Sequence, residues 1–392
     1  MKKVTLIVAL LVSIATFAQK DELKTLKKIY EKDQPNQVDV DKYKAALKSL
    51  ENIATSEEDK ISFVFYDGLL PLLEIAKLGE KVTPQDQLRI FSPDVLEKFT
   101  KAVNTTLEFE KKSGKKNFTS DINEILSFFI PMLETAAYQL NTSKQYKQSA
   151  TAFYNLYQLD KTAGANLLNA AILSTQAEDF KTALKLYEEY NESDYLKNGY
   201  VYYAFNELTG KEETFSSRNA RKSKLDLKTH SKPRDEKVGG KDDVLANIAL
   251  LRVKLGDVEG AKKAYKEAKE INPNNIELLI NEANLYYSTN DSETFKTLIS
   301  ELISKDPSNA SLYYSLGYTI LKEDIELVEE INRNLDNNKI YNELTEKRKM
   351  LYKSVLPYFE KSFELKPEDQ NTRQILKITY EILGDTEKAS KL

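Results

Sequence analysis

Cysteine and tryptophan are absent from this chain of 392 residues, and histidine occurs once. Without cysteine the chain can form no disulfide, no thiolate zinc site, no iron–sulfur cluster and no cysteine nucleophile. A single histidine excludes nearly every multi-histidine metal site and most histidine-based acid–base relays. We therefore predict a protein with no cofactor and no bound metal.

Glycine and proline are scarce, with 12 and 10 residues, whereas lysine, leucine, glutamate and alanine are abundant. Helices tolerate this composition and all-β folds usually do not. The 57 basic residues nearly balance the 61 acidic ones, so the net charge of −4 gives no general electrostatic reason to bind nucleic acid. The hydrophobic share of 41% is sufficient for a core, and the length suits several domains or one long repeat array.

The amino terminus carries the one long apolar run. Lys2 and Lys3 precede apolar residues from Val4 to Val12, and small residues occupy the −3 and −1 positions of a cleavage after Ala18. This order is typical of a bacterial secretory signal peptide, and the run is too short for a transmembrane helix, which needs ~20 residues. No cysteine follows it, which excludes a lipid anchor. We predict a signal peptide over 1–18, cleavage near Ala18, and a mature chain that is periplasmic or secreted. The alternative, a buried N-terminal helix, is disfavoured by the polar residues 20–22.

Several pairs of landmark residues are separated by 34 positions. The pairs are Pro273 and Pro307, Gly256 and Asn290, Asp257 and Asp291, Tyr146 and Phe180, and Phe153 and Tyr187. Different landmarks that share one period are typical of a two-helix repeat. Glycine or asparagine can end the first helix in the left-handed conformation, the following aspartate can cap the second helix, and proline ends it.

The repeat resembles the tetratricopeptide repeat family. The resemblance is clearest over 243–274 and in a first helix at 312–318. It rests on Leu245, Ile248, Ala249, Gly256, Ala261, Tyr265, Ala268 and Pro273. The resemblance implies an all-α fold, a right-handed superhelix of stacked two-helix repeats whose concave face, built from first helices, binds partners. We expect second helices at 143–158, 180–190, 258–271 and 351–365, and no sheet of more than two strands within 130–392.

Three regions depart from the regular repeat. The spacing predicts a repeat array over 129–392 with insertions at 216–241 and 322–350. We interpret the first insertion as a basic loop, with nine Lys/Arg and three Asp/Glu, that displaces a second helix. The second insertion is predicted to contain an acidic helix at 323–334, a polar turn, and a long helix from about 342 to 365. Residues 19–128 lack a clean period. They show helical patterns at 41–53, 58–77, 94–111 and 120–139, which we interpret as degenerate repeats, with an unrelated helical bundle as the alternative.

Catalytic signatures are missing from the sequence. His230 lies in the basic stretch, and we expect it to be a solvated or locally bonded loop residue without a catalytic role. The chain has no phosphate-binding glycine motif and no nucleophile elbow. For the basic stretch, we consider at most a peripheral membrane contact through Arg218–Lys241, and a solvated surface is the alternative.

The family register places a set of apolar, aromatic and amide residues on the concave face. The predicted partner-binding residues are Leu250, Ile280, Asn281, Asn284, Tyr287, Tyr314, Tyr318 and Leu321. Asparagine offers a donor and an acceptor to a peptide backbone, and tyrosine offers apolar area with a polar tip. Two alternatives stay open: asparagine is ordinary at position 281 in the family, and the tyrosines can pack between repeats instead of binding a partner.

Two hypotheses about function follow. The first is a periplasmic interaction scaffold, not an enzyme, that binds a polypeptide partner in its concave groove as part of an envelope assembly or transport complex. The second is an enzyme or enzyme subunit with carboxylate-only chemistry, such as glycan hydrolysis, in the N-terminal half. A deep pocket with two facing carboxylates favours the second hypothesis, and a long open groove favours the first.

Overall fold

The computed structural model describes residues 19–392, apart from positions 82, 84, 85, 87, 88, 90 and 216. The predicted signal peptide, 1–18, lies outside the described residues. The chain divides into two compact units, unit 1 up to Gly239 and unit 2 from Gly240 onward. No helix among the described residues combines the length and the apolar character needed to cross a bilayer.

Unit 1 begins with helices that confirm the four helical patterns of the N-terminal region. They are α1 (19–30), α2 (Gln37–Ile53), α3 (Glu57–Ala76), α4 (Pro93–Ser113) and α5 (Thr119–Thr142). Their core contains the fully buried rings of Tyr43, Phe65 and Phe99. The Tyr43 hydroxyl donates to the carbonyl of Tyr66 at 2.7 Å, which satisfies a polar group that burial would otherwise penalise.

The predicted division at 128 differs from the division that the structure shows. Helix α5 runs through that position without a break. It packs on the next helix of the array, so the N-terminal helices and the first repeats share unit 1. The compact units separate instead at Gly239 and Gly240.

The first repeats of the array follow as antiparallel neighbours in unit 1. Helix α5 packs on α6 (Tyr146–Leu159), α6 packs on α7 (Gly164–Gln176), and α7 packs on α8 (Phe180–Glu192). The turns before α6 and α8 place Lys144 and Glu178 in the left-handed region, at φ 60° and 58°. These two residues are 34 positions apart, so the repeat geometry is kept although neither residue is glycine or asparagine.

The segment after α8 is a small α/β insertion, which corrects two sequence-based predictions. A short helix α9 (Asp194–Asn198) leads into strands β1 (Tyr200–Asn206), β2 (Lys211–Phe215) and β3 (His230–Lys237), with helix α10 (Arg218–Asp226) between β2 and β3. The strands form an antiparallel sheet in the order β2-β1-β3, and α10 packs on it. The basic stretch is therefore not a loop, and the expectation of no three-stranded sheet within 130–392 was wrong.

The physical reason lies in the sequence of β1, Tyr-Val-Tyr-Tyr-Ala-Phe-Asn, because aromatic and β-branched residues favour strands. β3 keeps its pairing with β1 only through a shift in register opposite Tyr203 and Phe205. There Lys232 has φ 50° and Pro233 follows on an edge strand, where the missing N–H costs no ladder bond.

Unit 2 contains the regular repeats and the second insertion. Its helices are α11 (Lys241–Lys254), α12 (Val258–Ile271), α13 (Ile276–Ser288), α14 (Ser292–Lys305), α15 (Ala310–Leu321), α16 (Glu323–Arg333), α17 (Asn338–Leu365), α18 (Gln370–Leu383) and α19 (Thr386–Ser390). Each helix packs mainly on its neighbours, as the predicted stacking requires. The helical repeat fold is thereby confirmed for unit 2, and all four expected second helices exist in the two units.

The landmarks of the period perform their predicted roles. Gly256 and Asn290 have φ 83° and 58°, so both end a first helix in the left-handed conformation. The side chain of Asp257 accepts from the Gly260 N–H at 2.9 Å, and that of Asp291 accepts from the Thr294 N–H at 3.1 Å. These bonds satisfy amides that would otherwise lack a partner at the start of a helix.

The second insertion is a helical hairpin inside one repeat, close to the prediction. Helix α16 and the first half of α17 lie against each other, and α17 starts four residues earlier than predicted because Asn337 caps it through the Ile340 N–H. At the base of the hairpin, Asp324 accepts from Arg348 Nε at 2.7 Å and Nη2 at 2.9 Å, and from the Tyr352 hydroxyl at 2.8 Å. This bidentate contact fixes the two ends of the insertion together.

Candidate partner-binding surface

Each first helix of the four repeats in unit 2 exposes a large apolar side chain in its C-terminal half. These side chains are Leu250 (39% exposed), Tyr287 (42%), Tyr318 (43%) and Ile378 (39%), on α11, α13, α15 and α18. Leu250, Asn284 and Tyr318 recur at 34 positions, and Ile378 follows Tyr318 by one repeat plus the 26-residue insertion. We call this set, with Asn284, the unit 2 row.

Ile378 was missed in the sequence analysis although its signal was present. Pro307 and Pro367 are 60 positions apart, and the same spacing separates Tyr318 from Ile378. Adding one repeat of 34 residues and the insertion of 26 to position 318, the exposed position of the preceding repeat, gives position 378. The sequence alone therefore identifies Ile378.

Three tyrosines form the centre of the surface. The rings of Tyr314 and Tyr318 stack with centroids 5.8 Å apart and an interplanar angle of 13°. Burial raises the pKa of Tyr314, and the neighbouring Tyr318 hydroxyl, Asp369 and Tyr287 add to the effect. The tyrosines of two successive repeats therefore lie within electrostatic reach of one another, as their repeat positions predict.

Part of each tyrosine is engaged in intramolecular packing. Tyr314 makes an edge contact with Phe359 at 6.0 Å between ring centroids, and Tyr287 lies 5.2 Å from Phe295. The Lys322 ammonium lies 4.1 Å from the centroid of the Tyr287 ring, which holds that ring by a cation–π contact. The packing fixes the rings and leaves more than two-fifths of Tyr287 and Tyr318 exposed.

The remaining predicted residues are not equally accessible. Asn284 is exposed, Asn281 is half-buried, and Ile280 is half-buried against the core around Leu279 and Leu312. Leu321 is only 7% exposed and belongs to the core cluster of Tyr352 and Val355. Its assignment to the partner-binding set is corrected, because the second insertion brings α17 against the end of α15.

Carboxylates of the sheet pair with the three arginines of the basic stretch. Arg218 and Arg221 contact Asp235 at 2.8 and 2.6 Å, and Arg234 contacts Glu212 at 2.6 Å and Glu236 at 2.8 Å. Burial acts to raise the pKa of Asp235, but the hydrogen bonds from Arg221 and Arg218 outweigh it and lower that pKa. A surface with these charges paired gives no support to a membrane contact through Arg218–Lys241.

Arg221 is a structural residue that the sequence did not reveal. It is 7% exposed, and its Nη1 donates to the carbonyls of Tyr203 at 3.2 Å and Arg234 at 2.7 Å. The guanidinium also lies 5.3 Å from the Tyr202 ring, measured from Cζ to the centroid. These contacts tie α10 to β1 and β3.

His230 is locally bonded, as expected, but it is buried in a strand and not solvated in a loop. Its Nε2 lies 2.9 Å from Glu213 Oε2, and its Nδ1 lies 2.9 Å from the Thr229 hydroxyl. The hydrogen bond with His230 lowers the pKa of Glu213, and a bond from Asn206 adds to it. The contacts connect all three strands, since Asn206, Glu213 and His230 lie on β1, β2 and β3.

The buried carboxylates of the described residues have structural partners. The Asp39 carboxylate accepts from the N–H of Asn36, the N-cap of α2, at 3.0 Å and contacts Lys32 at 2.6 Å, and Glu282 contacts Lys269 at 2.8 Å. Glu110 accepts from the amides of Phe118 at 2.6 Å and Thr119 at 3.0 Å, at the start of α5. In the part of the chain that the structure describes, no group of three or more acidic or histidine residues is placed to hold a metal ion.

Comparisons with known proteins agree with the repeat. Residues 252–317 match the family model of the tetratricopeptide repeat. The repeats within residues 252–317 are therefore tetratricopeptide repeats. The fold supports a protein–protein interaction scaffold with a protein or peptide partner. No curated protein matches the chain.

Several solved structures are similar over much of the chain at low identity. YrrB, described as a TPR protein with an unusual peptide-binding site, shares 14% identity at a TM-score of 0.37, covering 67% of this chain and 98% of that chain. A tetratricopeptide repeat protein from Parabacteroides merdae shares 12% identity at a TM-score of 0.34, covering 75% and 96%. MamA shares 23% identity at a TM-score of 0.24, covering 39% and 88%. TM-scores of this size carry no argument about function.

Proposed function

We propose that this protein is an exported interaction scaffold that holds a segment of a partner polypeptide along the unit 2 row, as a component of an envelope assembly or transport complex. The observation that carries the proposal is the row itself, with an exposed apolar side chain in the C-terminal half of each first helix and Asn284 beside them. Aromatic and aliphatic anchors of this kind dominate binding at protein interfaces.

The arrangement of the tyrosines supports binding of an extended segment. Stacking on Tyr314 and packing on Phe295 restrict Tyr318 and Tyr287 before a partner arrives. Side chains that are already ordered lose less entropy on binding. The exposed amide of Asn284 can donate to and accept from a peptide backbone that crosses the row.

The test is capture of a partner by a variant with Tyr287→Ala and Tyr318→Ala. We expect the mature wild-type chain to retain its partner from envelope fractions, and the double variant to lose it with its thermal midpoint nearly unchanged. Tyr341→Ala is the matched control, since Tyr341 has a similar exposure, 37%, but lies on the hairpin outside the row. Capture that survives in the double variant, or a midpoint several degrees lower than that of the control, contradicts the assignment.

The proposed export rests on the sequence of residues 1–18 alone. N-terminal sequencing of the protein from an envelope extract tests it, and we expect the mature chain to begin near Gln19. Recovery of the chain from the cytoplasm with Met1 intact contradicts export and leaves the proposed binding surface unaffected.

A further inference from the structure

The second helices of two successive repeats in unit 1 leave a cavity between them. Helices α6 and α8 both pack on α7, and the space that remains between α6 and α8 has a volume of about 280 Å³. Ordinary ligand pockets begin at ~300 Å³, so this cavity suits a small molecule or a single side chain. It lies between second helices, whereas the unit 2 row lies on first helices. The cavity is therefore a separate feature of the molecule.

Two lysines give the cavity positive charge. Lys147, in the first turn of α6, and Lys185, on α8, both line it. Neither ammonium forms an ion pair or a hydrogen bond with any residue that the structure describes. The acidic residue of the described lining is Asp179, whose Oδ1 accepts from the Thr182 N–H at 3.2 Å at the start of α8. Two unpaired ammonium groups against this one capping carboxylate favour an anion.

A buried hydroxyl supplies a further donor. Ser174 lies near the end of α7, is only 3% exposed and lines the cavity. Its hydroxyl forms no hydrogen bond with any described residue. Buried hydroxyls nearly always have a partner, because leaving one unpaired is unfavourable. An acceptor atom of a ligand in the cavity can provide the partner that the protein does not.

Other hydroxyls of the lining already have acceptors for their protons. The Thr151 hydroxyl donates to the Lys147 carbonyl at 3.1 Å, and the Tyr154 hydroxyl donates to Glu189 Oε2 at 3.3 Å. Burial raises the pKa of Tyr154 to about 12, and the charge of Glu189 adds to the effect, so this hydroxyl keeps its proton. Glu189 is also held by Lys161 at 3.5 Å. The groups that the lining offers without a partner are therefore mainly N–H and O–H donors.

Apolar groups form the rest of the wall. Ala150, Ala177 and Leu186 line the cavity beside the donors. An apolar wall next to ammonium groups fits an anion on an aliphatic stem better than a bare inorganic ion, because burial of the methylene groups adds to the ionic attraction. A glutamate side chain and a free short-chain aliphatic acid both have this chemistry.

We infer that the cavity between α6 and α8 binds a carboxylate carried on a short aliphatic stem. Lys147 and Lys185 neutralise the carboxylate, and the Ser174 hydroxyl donates to it. The stem lies against the apolar wall that includes Leu186. The carboxylate belongs either to a glutamate side chain of a polypeptide or to a free aliphatic acid, and the choice of probes distinguishes these two sources.

The test titrates the full mature chain with two acids and their neutral counterparts, followed by NMR or calorimetry. The peptide pair is acetyl-Ala-Glu-Ala-amide and acetyl-Ala-Gln-Ala-amide, and the free pair is sodium hexanoate and hexanamide. We expect binding of an acid and no binding of its amide, because the amides gain no attraction from the ammonium groups. Tighter binding of the glutamate peptide identifies a polypeptide as the source, and tighter binding of hexanoate identifies a free acid.

Three variants assign the binding to the cavity. Lys147→Gln combined with Lys185→Gln should weaken binding of the acid at least about tenfold, the loss expected for charged hydrogen bonds. Lys181→Gln is the matched control and should change nothing, because Lys181 is exposed, lies outside the lining and follows Lys147 by one repeat of 34 residues. Ser174→Ala should weaken binding about threefold or more without lowering the thermal midpoint, since the lost hydroxyl has no partner in the protein.

The inference is overturned if the amides bind as tightly as the acids, or if neither acid binds. Equal losses of affinity in Lys181→Gln and in the double lysine variant also overturn it. A Ser174→Ala variant that melts several degrees lower and binds normally contradicts it, because the hydroxyl would then be structural. The variant with Tyr287→Ala and Tyr318→Ala should bind the acids normally, so a failure of this site can be distinguished from a failure of the unit 2 row.

Discussion

The turn between the two helices of a repeat places one residue in the left-handed backbone region. Five residues fill this position in the two units: Lys144, Glu178, Gly256, Asn290 and Gly384, with φ between 58° and 83°. Gly256 and Asn290 were predicted from their residue types. Lys144 and Glu178 were not, because neither side chain favours that conformation, and only the repeat spacing could have placed them there.

We predict that Gly256→Val destabilises unit 2 by about 1–2 kcal/mol, because a β-branched residue is strained at positive φ. A Cβ at this position meets no atom within 4 Å, so the loss would report backbone strain and not a collision. Asn290→Gly at the equivalent turn should leave stability unchanged or slightly higher. Chemical denaturation of both variants checks the pair, and equal stability of the Gly256→Val variant and the wild type would contradict it.

At the scale of elements, the predicted helix boundaries agree with the structure to within a few residues wherever a capping residue was visible. Asp257 and Asp291, which were predicted as caps, accept from amides in the first turns of their helices, whereas the cap at Asn337 was not predicted and α17 starts earlier than expected. The sheet could not be predicted from the period, since the spacing from Phe180 to Val258 exceeds two repeats by only ten residues. A replaced repeat and a lengthened repeat give nearly the same spacing.

The crossing of α3 and α4 depends on one missing methyl group. A Cβ on Gly68 would lie 2.2 Å from the Cβ of Ala102, so Gly68→Ala should destabilise unit 1 by about 1–3 kcal/mol despite the better helix propensity of alanine. Adding Ala102→Gly in the same chain restores the space, and the double variant should be more stable than Gly68→Ala alone. Thermal denaturation of the four chains measures the coupling, and strictly additive effects would show that the two helices do not touch there.

At the scale of the whole molecule, the division at Gly239 and Gly240 was not predicted, because the repeat pattern continues on both sides of it. The division into two units follows the distribution of the buried hydrophobic cores. Unit 2 has its own buried clusters, around Leu279 and Leu302 and around Val355 and Phe359. Of the eight residues predicted for the candidate surface, seven are exposed or half-buried on first helices, and their role in binding stays a prediction.

We predict that residues 240–392 expressed alone fold into a helical and cooperatively melting protein, because a segment with its own core can fold independently. Circular dichroism and a thermal melt check this. Residues 276–392, which lack the first repeat and begin inside a stack, provide the comparison and should melt at a lower temperature. A chain of 240–392 that shows no cooperative transition would contradict the independence of unit 2.

The hairpin of α16 and α17 accommodates the 26 extra residues of one repeat. The contact of Asp324 with Arg348 joins the first and last turns of the insertion. The chain therefore leaves the stack along α16 and returns to it along α17 at nearly the same place. Tyr318 and Ile378 accordingly keep similar exposure on successive first helices, 43% and 39%. We therefore expect that residues added or removed in matched turns at the tip around Leu335 leave the stack unaltered. The array thus has a site at which it can acquire a new surface while the unit 2 row stays in register.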